Sequence, residues 1–569
     1  MEKRAIIAII LTFVVIMFWG VIQSKFFPTP PSAPQEEVKK ERILPLEKKE
    51  IDVSKSVAPE VFPEKEVSVE TPNYQAVFTS KDARLRHFKL KKYEDRIEES
   101  SITVKLTRLV GDILGRKSEE AGKPKPLDLV NTKEEEGLPL GLVSAGQALS
   151  LSDGNWEVDK EELRLVDAGR QGEISFSKRL ENGLKIVKRY RFGHQQYAFD
   201  LEVEVQNTTE KEVAGQLGLE WVGRIELEKL ADTENKDYGL KYAFLKNEKV
   251  EVKDLGGTSS SGCTPGCSSP NKTVEPFELS DKGSIRWFSF GGEYFSTLMS
   301  LPEGKDAVLT VKGDGKNLLK ANLMAPQFSI PSQGRIKITF RVYLGPKDED
   351  WLKELGVGAE KLVDYGFFTI VAKPLLWFLK LTHTVTRNFG IDIIILSILI
   401  KIIFLPLTQI SFKSMKEMQK IQPEMSRLKE TYKNDKARLQ QEMMLLYKRR
   451  KINPMSGCLP MVVQIPVFIA LYNALQNAIE MRHAPFFLWI RDLCAKDPIY
   501  ITPLIMGATM VIQQKMTPTA ADPAQAKMFM LMPIMFTFFF LNFPSGLVLY
   551  WLVNNVLSIA HQYYLNKKM

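Results

Sequence analysis

The sequence predicts a multi-domain membrane protein, with a bundle of six transmembrane α-helices and one periplasmic all-β sandwich domain. Three observations lead to this fold class. An unbroken apolar run begins at residue 5, apolar and polar residues alternate between about 71 and 345, and long apolar stretches return after residue 365. The length of 569 residues agrees with more than one folding unit.

The N-terminus carries the first predicted transmembrane helix. Residues 5–22 are apolar and follow Lys3 and Arg4, and a bilayer span needs roughly 20 such residues. No small-residue cleavage site comes after them, which favours a retained signal anchor at 1–23 over a cleaved signal peptide. The two basic residues hold the N-terminus in the cytoplasm. Residues 24–70, rich in Pro, Glu and Lys, predict a disordered linker because they cannot bury a core.

Residues 71–345 have the alternating pattern of strands with one buried face. Between 197 and 205, aromatic or aliphatic residues occupy every second position, with Asp200, Glu202 and Glu204 among the alternates. Because the anchor starts inside, this β-sandwich is predicted to lie in the periplasm of a bacterium with two membranes. Its acidic residues fall on the faces expected to meet water, so solvated strand charges are favoured over a catalytic pair.

The membrane half begins with two unlike helices. Residues 363–388 carry Lys373, Lys380 and Arg387 seven apart, which favours an amphipathic helix in the membrane interface; a poor transmembrane helix is the alternative. Residues 389–409 predict a clear span with Lys401 near its middle. An ammonium there costs at least ~2.5–3.5 kcal/mol. We therefore expect Lys401 to face water inside the protein, with snorkelling through a thinned bilayer as the alternative.

Residues 410–457 predict a cytoplasmic helical hairpin. They hold twelve basic and five acidic residues, and such a basic surplus is typical of the cytoplasmic side. The apolar residues recur at three- and four-residue spacing and are interrupted at Asn434 and Asp435. The pattern leaves two interpretations equally open, a partner-binding surface or packing between the two arms. The methionines concerned are Met415, Met418, Met425 and Met443.

Four more spans are predicted at 458–480, 498–514, 527–542 and 547–565, with a turn at Asn542–Gly546 between the last two. A total of six returns the C-terminus to the cytoplasm. Single polar residues inside spans often join helices, but together with Lys401 they indicate a hydrated cavity. These residues are Ser397, Gln464, Asn473, Gln476, Asn477, Asn542, Asn554 and Asn555.

Composition argues against several other classes of function. The five histidines lack metal-ligand spacing, and no GxxxxGK[ST] loop is present; we expect no cofactor, no metal site and no catalytic residue. The net charge of +9 is better explained by lipid and cytoplasmic retention than by direct nucleic-acid binding. Cys263 and Cys267 share a loop rich in Gly, Ser and Pro, and whether they form a disulfide stays open.

Several ordered runs resemble the YidC insertase family. They are VDYGFFTIVAKPL, the Lys401-IIFLPLT run, QEMMLLYKRRKINPMSGCLPMVVQIPVFIALY, APFFLWIRDL and FFFLNFPSGLVLYW. The resemblance implies a five-helix core with a hydrophilic groove that opens to the cytoplasm and to lipid. It implies a membrane protein insertase and chaperone of the inner membrane rather than an enzyme. The partners implied are nascent membrane proteins, the lipid bilayer, the Sec translocon, the ribosome and the signal recognition system.

The resemblance also suggests roles for individual residues. Lys401 occupies the position where the family usually has Arg, and Gln464 matches a glutamine that lines the groove. Ser397 and Tyr550 match positions that hold the spans together or touch substrate, and Trp551 is a further candidate. Two other classes of function stay open, a secondary transporter with a lysine at midplane and a periplasmic enzyme or sugar-binding protein built on the β domain.

Overall fold

The structure is a computed structural model, which describes residues 62–97, 123–145, 151, 154–166, 171–194, 196–225, 241–255, 276–302, 304, 306–450, 452, 459–517 and 523–568. The anchor at 1–23, most of the linker, and Cys263, Cys267 and Cys458 lie outside this range. The chain divides into a β-rich unit and a helical unit, with the boundary between Val363 and Asp364.

The β-rich unit contains three sheets, whose described strands pair antiparallel except for one parallel pair, Glu66–Glu70 with Glu162–Arg164. The five-stranded sheet has the order β4 (Pro126–Asp128), β3 (Arg84–Glu94), β2 (Tyr74–Thr79), β1 (Glu66–Glu70), β7 (Glu162–Arg164). The nine-stranded sheet has the order β13 (Lys249–Asp254), β12 (Lys241–Lys246), β15 (Ile285–Gly291), β16 (Phe295–Ser300), β20 (Arg335–Pro346), β10 (Ala198–Asn207), β9 (Leu184–Gly193), β8 (Gln171–Arg179), β6 (Glu157–Val158). The six-stranded sheet has the order β14 (Phe277–Gly283), β17 (Ala307–Gly313), β18 (Leu318–Met324), β11 (Val213–Arg224), β19 (Phe328–Ile330), with β5 (Gly141–Ala145) also paired to β11.

An aromatic core joins the five-stranded sheet to the nine-stranded sheet. The Phe78 ring of β2 lies 4.7 Å from the Tyr190 ring of β9 and 6.4 Å from the Phe199 ring of β10, measured between centroids. All three side chains are buried, as expected when alternate residues of each strand face a sheet packed opposite. The β-rich fold predicted for this part of the chain is therefore confirmed.

The acidic residues of β10 differ from the expectation that they face water. Glu204 is only 1% exposed and Glu202 only 7%. Arg189 on β9 donates to Glu204 at 2.6 Å and to Glu202 at 2.9 Å, and Lys337 on β20 donates to Glu202 at 3.0 Å. Long basic side chains from both neighbouring strands cover the carboxylates. Burial raises the pKa of both groups, but hydrogen bonds from Lys337 and Arg189 to Glu202, and from Gln206 and Arg189 to Glu204, hold both pKa values below the usual value.

The first strand lies inside the segment predicted to be a linker. Val67 and Val69 of β1 are fully buried, and the residues on either side of them are less so. Two valines in alternation were too few to outweigh the Pro and Glu content around them. Pairing with β2 along five residues supplies the partner that a local sequence pattern cannot reveal.

The helical unit contains nine α-helices among the described residues. They are α2 (Thr369–Thr386), α3 (Phe389–Ile403), α4 (Leu405–Lys420), α5 (Gln422–Thr431), α6 (Lys436–Arg450), α7 (Leu459–Asn477), α8 (Ile501–Met516), α9 (Pro523–Phe540) and α10 (Ser545–Lys568); a short helix, α1 (Glu349–Glu354), ends the β-rich unit. Among these described segments, no single helix has both the length and the hydropathy to cross a membrane, but α3 and α4 together do. The bundle of six spans stays a prediction.

The span predicted at 389–409 is broken in the structure. Helix α3 ends at Ile403, and α4 continues from Leu405 at an angle of 59°. Pro406 is the second residue of α4, where its missing N–H costs no hydrogen bond. Lys401 therefore lies in the last turn of α3 rather than in the middle of one straight helix. A cation there complements the partial negative charge at the helix C-terminus.

The predicted hairpin appears as α5 and α6, which pack against each other. Its core consists of Ile421, Met425, Leu446 and Ile452, with Met418, Leu428, Met443 and Tyr447 packed around it. Asp435 accepts a hydrogen bond from the Arg438 N–H, which starts α6 at the predicted interruption. Of the four candidate methionines, Met425 and Met443 lie on the two arms, and Met418 at the end of α4 packs against them, as in the self-packing interpretation. Met415, also on α4, is half-buried.

Candidate functional site

The centre of the site is a contact between α3 and α10. Lys401 Nζ donates a hydrogen bond of 2.6 Å to Ser558 Oγ, and Ser558 Oγ in turn donates to the Asn554 carbonyl at 2.7 Å. Lys401 is half-buried, and the next two residues, Ile402 and Ile403, are about 60% exposed. The ammonium therefore points away from the apolar exposed surface of α3 and toward polar groups of α10.

A second polar contact joins α7 to α10. The side chain of Gln464 donates a hydrogen bond of 3.3 Å to the hydroxyl of Tyr550, which is fully buried. Tyr550, Asn554 and Ser558 follow each other at four-residue spacing, so they form one stripe on α10. The stripe connects the Gln464 contact at one end to the Lys401 contact at the other.

Ser397 lies one turn before Lys401 on α3. Its side chain is fully buried, and Oγ donates a hydrogen bond of 2.7 Å to the Ile393 carbonyl of its own helix. A hydroxyl bonded in this way allows close packing at little polar cost. The Ser397 side chain is thus buried and hydrogen-bonded within its own helix.

Trp551 faces a different environment from Tyr550. Its ring lies 5.4 Å from Phe468 of α7, 5.3 Å from Phe540 and 6.2 Å from Phe536, both of α9. These aromatic contacts hold α7, α9 and α10 together. The structure thus places Lys401, Gln464 and Tyr550 along one polar stripe and places Trp551 in an aromatic cluster beside it.

Two loops are joined at the start of α10. Ser545 Oγ donates to the Asp492 carbonyl, and the Ser545 N–H donates to the Ala495 carbonyl, both at 2.7 Å. The Gly546 N–H donates to the Leu493 carbonyl at 2.9 Å, and a Cβ on Gly546 would lie only 3.1 Å from that oxygen. We call residues 492–496 and 544–546 the loop joint. The joint brings the ends of the APFFLWIRDL and NFPSG runs together.

Helix α2 is fixed to α3 near the chain turn between them. The carboxylate of Asp392 is fully buried, with one oxygen 3.0 Å from His383 Nδ1 and the other accepting a 2.6 Å hydrogen bond from Thr386. Lys380 of α2 forms an ion pair with Glu480. Trp377 and Val385 are 64% and 84% exposed, so α2 combines fixed polar contacts with an exposed apolar surface. This is the arrangement expected of a helix in the membrane interface.

The hairpin leaves two apolar residues exposed that the methionine pattern did not single out. Met444 is 52% exposed and Leu445 is 44% exposed, whereas Met425 is 7% exposed. The exposed pair precedes the basic residues at 448–450. If the hairpin contacts a partner, this surface of α6 is available for it.

Three polar residues of the site were missed at the sequence level: Ser558, His561 and Gln562. A usable signal was present, because Tyr550, Asn554 and Ser558 recur every fourth residue within an apolar helix. Asn542, by contrast, lies in the turn after α9 and is exposed. No group of His, Cys, Asp and Glu suited to a metal ion occurs within the described ranges.

Matches to known proteins extend along the whole chain. Residues 380–569 match the family model described as 60Kd inner membrane protein, and residues 115–378 match the YidC periplasmic domain. The chain is 39% identical to the membrane protein insertase YidC of Syntrophus aciditrophicus, over 100% of both chains. It is 38% identical to the membrane protein insertase YidC of Geobacter metallireducens, over 100% of this chain and 99% of that one. A crystal structure of an active YidC insertase covers 89% of this chain and 95% of its own length at 18% identity, with a TM-score of 0.35.

Proposed function

Since the chain belongs to the YidC family of membrane protein insertases, we propose that its helical unit inserts membrane proteins through the groove along α3, α7 and α10. Membership of this family implies a location in the inner membrane, with the β-rich domain in the periplasm. It also gives membrane proteins as substrates and lipid as the surroundings. The observation that carries the mechanism is the ammonium of Lys401, held toward polar groups of α10.

The groove lowers the cost of moving a short polar segment into the bilayer. A carboxylate or an unpaired peptide group is expensive in hydrocarbon. Lys401 supplies a positive charge at the break between α3 and α4, and Ser558, Asn554, Tyr550 and Gln464 supply hydrogen-bonding groups beyond it. The apolar segment of the substrate then leaves toward lipid, and its burial supplies a few tenths of a kcal/mol per residue.

The direction of transport follows from a topology with both termini and the hairpin in the cytoplasm. With six spans, the loop joint lies at the periplasmic end of the groove. Its three hydrogen bonds between loops support a groove that is closed on that side. The cytoplasmic end is bordered by the break after α3 and by the hairpin, whose basic surplus supports that location.

The hairpin is the proposed entry point for substrate. Its two arms are held together by their own core, and the exposed Met444 and Leu445 can receive an apolar segment. The Sec translocon, the ribosome and the signal recognition system are proposed partners at this side of the membrane. The protein is proposed to act either alone or with the translocon.

The test is insertion of a short single-span protein into liposomes that contain only this purified chain. Lys401→Arg keeps the charge and should retain insertion, whereas Lys401→Ala should lose most of it. Equal insertion by all three proteins would argue against a role for the groove charge. Absence of insertion in all three would exclude an autonomous insertase and favour a role that requires the translocon.

A second experiment separates insertion from the two other functions. Deletion of residues 75–340 should leave insertion largely intact, because the groove residues all lie in the helical unit. A periplasmic enzyme or sugar-binding protein would lose its function with that deletion. A secondary transporter would move a small solute through protein-containing liposomes without any substrate protein, and we expect no such flux.

A further inference from the structure

The last turns of α10 contain buried polar atoms that the groove described so far does not use. Neither ring nitrogen of His561 has a hydrogen-bond partner among the described residues, and the same holds for Oε1 of Gln562. A buried polar atom without a partner costs about 1–3 kcal/mol. A group that enters the groove with matching donors or acceptors would remove this cost.

His561 belongs to the same stripe as the groove residues. It follows Ser558 by three residues on α10, so the two side chains lie on neighbouring positions of one helix face. Ser558 accepts the hydrogen bond from the Lys401 ammonium, so His561 lies one helical turn beyond the partner of Lys401. The imidazole, the Ser558 hydroxyl and the ammonium thus converge from two helices, α3 and α10.

The neighbouring residue is held in a different way. Gln562 Nε2 donates a hydrogen bond of 3.3 Å to Thr517 Oγ1, directly after α8. This contact fixes the end of α10 against α8 and limits rotation of α10. The turn of α10 that carries His561 is therefore held by its neighbour Gln562 rather than by a hydrogen bond of the His561 ring.

We propose that His561 is a substrate-contacting residue of the groove, which together with Lys401 and Ser558 binds the carboxylates of acidic segments as they enter. The inference rests on the proposed insertase function and adds His561 to the residues that contact substrate. Lys401 contributes the charge, and the imidazole contributes a directed N–H donor. A carboxylate oxygen is a pure acceptor, so it satisfies the imidazole donor and the ammonium at the same time.

The test compares two single-span proteins in liposomes, one with a pair of aspartates in its short translocated tail and one with asparagines there. His561→Leu should reduce insertion of the acidic protein by about fivefold, the size of one hydrogen bond to a charged group in a partly hydrated site. Insertion of the asparagine version should change by less than about twofold on the same scale. His561→Gln keeps a donor and should restore much of the loss.

Tyr563→Leu provides the matched control, since this side chain is on the same helix and 65% exposed. A photoreactive amino acid at position 561, compared with one at 563, gives a readout that does not depend on insertion rates. Position 561 should crosslink to the acidic tail and 563 should not.

The outcomes separate this inference from the proposed function. If wild-type protein inserts neither test protein, the autonomous insertase function fails. If wild-type protein inserts both, but His561→Leu reduces them equally or crosslinks at 561 and 563 are the same, the inference is wrong and the function stands.

Discussion

Lys401 of α3 and Ser558 of α10 are joined by a hydrogen bond of 2.6 Å, 157 residues apart in the chain. The contact fixes the direction in which the Lys401 ammonium points. Without the Ser558 hydroxyl the ammonium loses an acceptor and can turn toward the exposed side of α3.

We expect Ser558→Ala to lower insertion in the liposome assay by about fivefold, which corresponds to about 1 kcal/mol for one hydrogen bond. Ser558→Thr keeps the hydroxyl and should stay within about twofold of wild type on that scale. Unchanged insertion by the alanine variant would mean that Lys401 is positioned by its own helix alone.

Two methionines of the hairpin allow the effect of packing to be measured separately from the effect of partner contact. Met425 is buried, and its sulfur accepts a hydrogen bond of 3.6 Å from the Tyr447 hydroxyl across the two arms. Met425→Ala should destabilise the hairpin by about 2 kcal/mol, as other buried methionine truncations do. Hydrogen exchange of the α5 and α6 amides would record the change.

Met444→Ala is the matched variant, because Met444 is on the second arm of the hairpin and 52% exposed. It should leave amide exchange as in the wild type. If it lowers insertion nevertheless, the exposed surface of α6 contacts substrate or a partner. If both variants behave alike in exchange, the described hairpin core is not what holds the arms together.

The start of α3 is packed closely against the loop after α7. A Cβ at Gly390 would lie 2.4 Å from Cγ of Phe486 and 2.8 Å from its Cβ, so Phe486 would have to move. Gly390→Ala should therefore lower stability by about 1–3 kcal/mol through overpacking. Thermal unfolding in detergent measures this, with Ile391→Ala as control because Ile391 is 42% exposed. An unchanged midpoint for Gly390→Ala would contradict the packing described.

The β-rich unit contains a fully buried lysine with a predictable pH response. Lys188 Nζ donates to the carbonyls of Ala83 and Leu140 at 2.5 and 2.8 Å. Burial first, and then the charge of Arg84, hold the pKa of Lys188 well below its ordinary value of 10.5. Between the lowered pKa and 10.5 the unfolded chain still binds the proton and the folded chain does not, so the free energy of unfolding rises with pH.

Lys188→Met should remove that rise. The measurement is denaturant unfolding of the full chain in detergent at several alkaline pH values, followed by tryptophan fluorescence; the Trp156 ring lies 5.9 Å from Lys188 Nζ. Lys347, whose pKa burial lowers to about 8, stays in both proteins, so the difference between their curves isolates Lys188. Parallel curves would show that the buried amine titrates alike in the folded and unfolded states.

Local patterns in the sequence predict the elements of this protein better than the contacts between them. Alternation identified β10, and three- and four-residue spacing identified the hairpin arms. The burial of Glu204 could not be read from its own strand, because the residues that cover it come from β9 and β20. The four-residue spacing of Tyr550, Asn554 and Ser558 could have singled out Ser558, but its contact with Lys401, which comes from a distant segment, could not be read from that spacing.

The loop joint has a consequence for the mechanics of the helical unit. Hydrogen bonds between Ser545, Gly546 and the loop at 492–495 hold two backbone segments together at one end, whereas at the other end Lys401 and Gln562 make their described contacts through side chains. Backbone contacts between fixed loops resist separation more than long side chains do. One end of the helical unit is therefore more rigid than the other, and its helices can separate at the Lys401 end. A helical unit of this kind can admit a substrate polypeptide from the side and release it the same way, without forming a continuous channel through the bilayer.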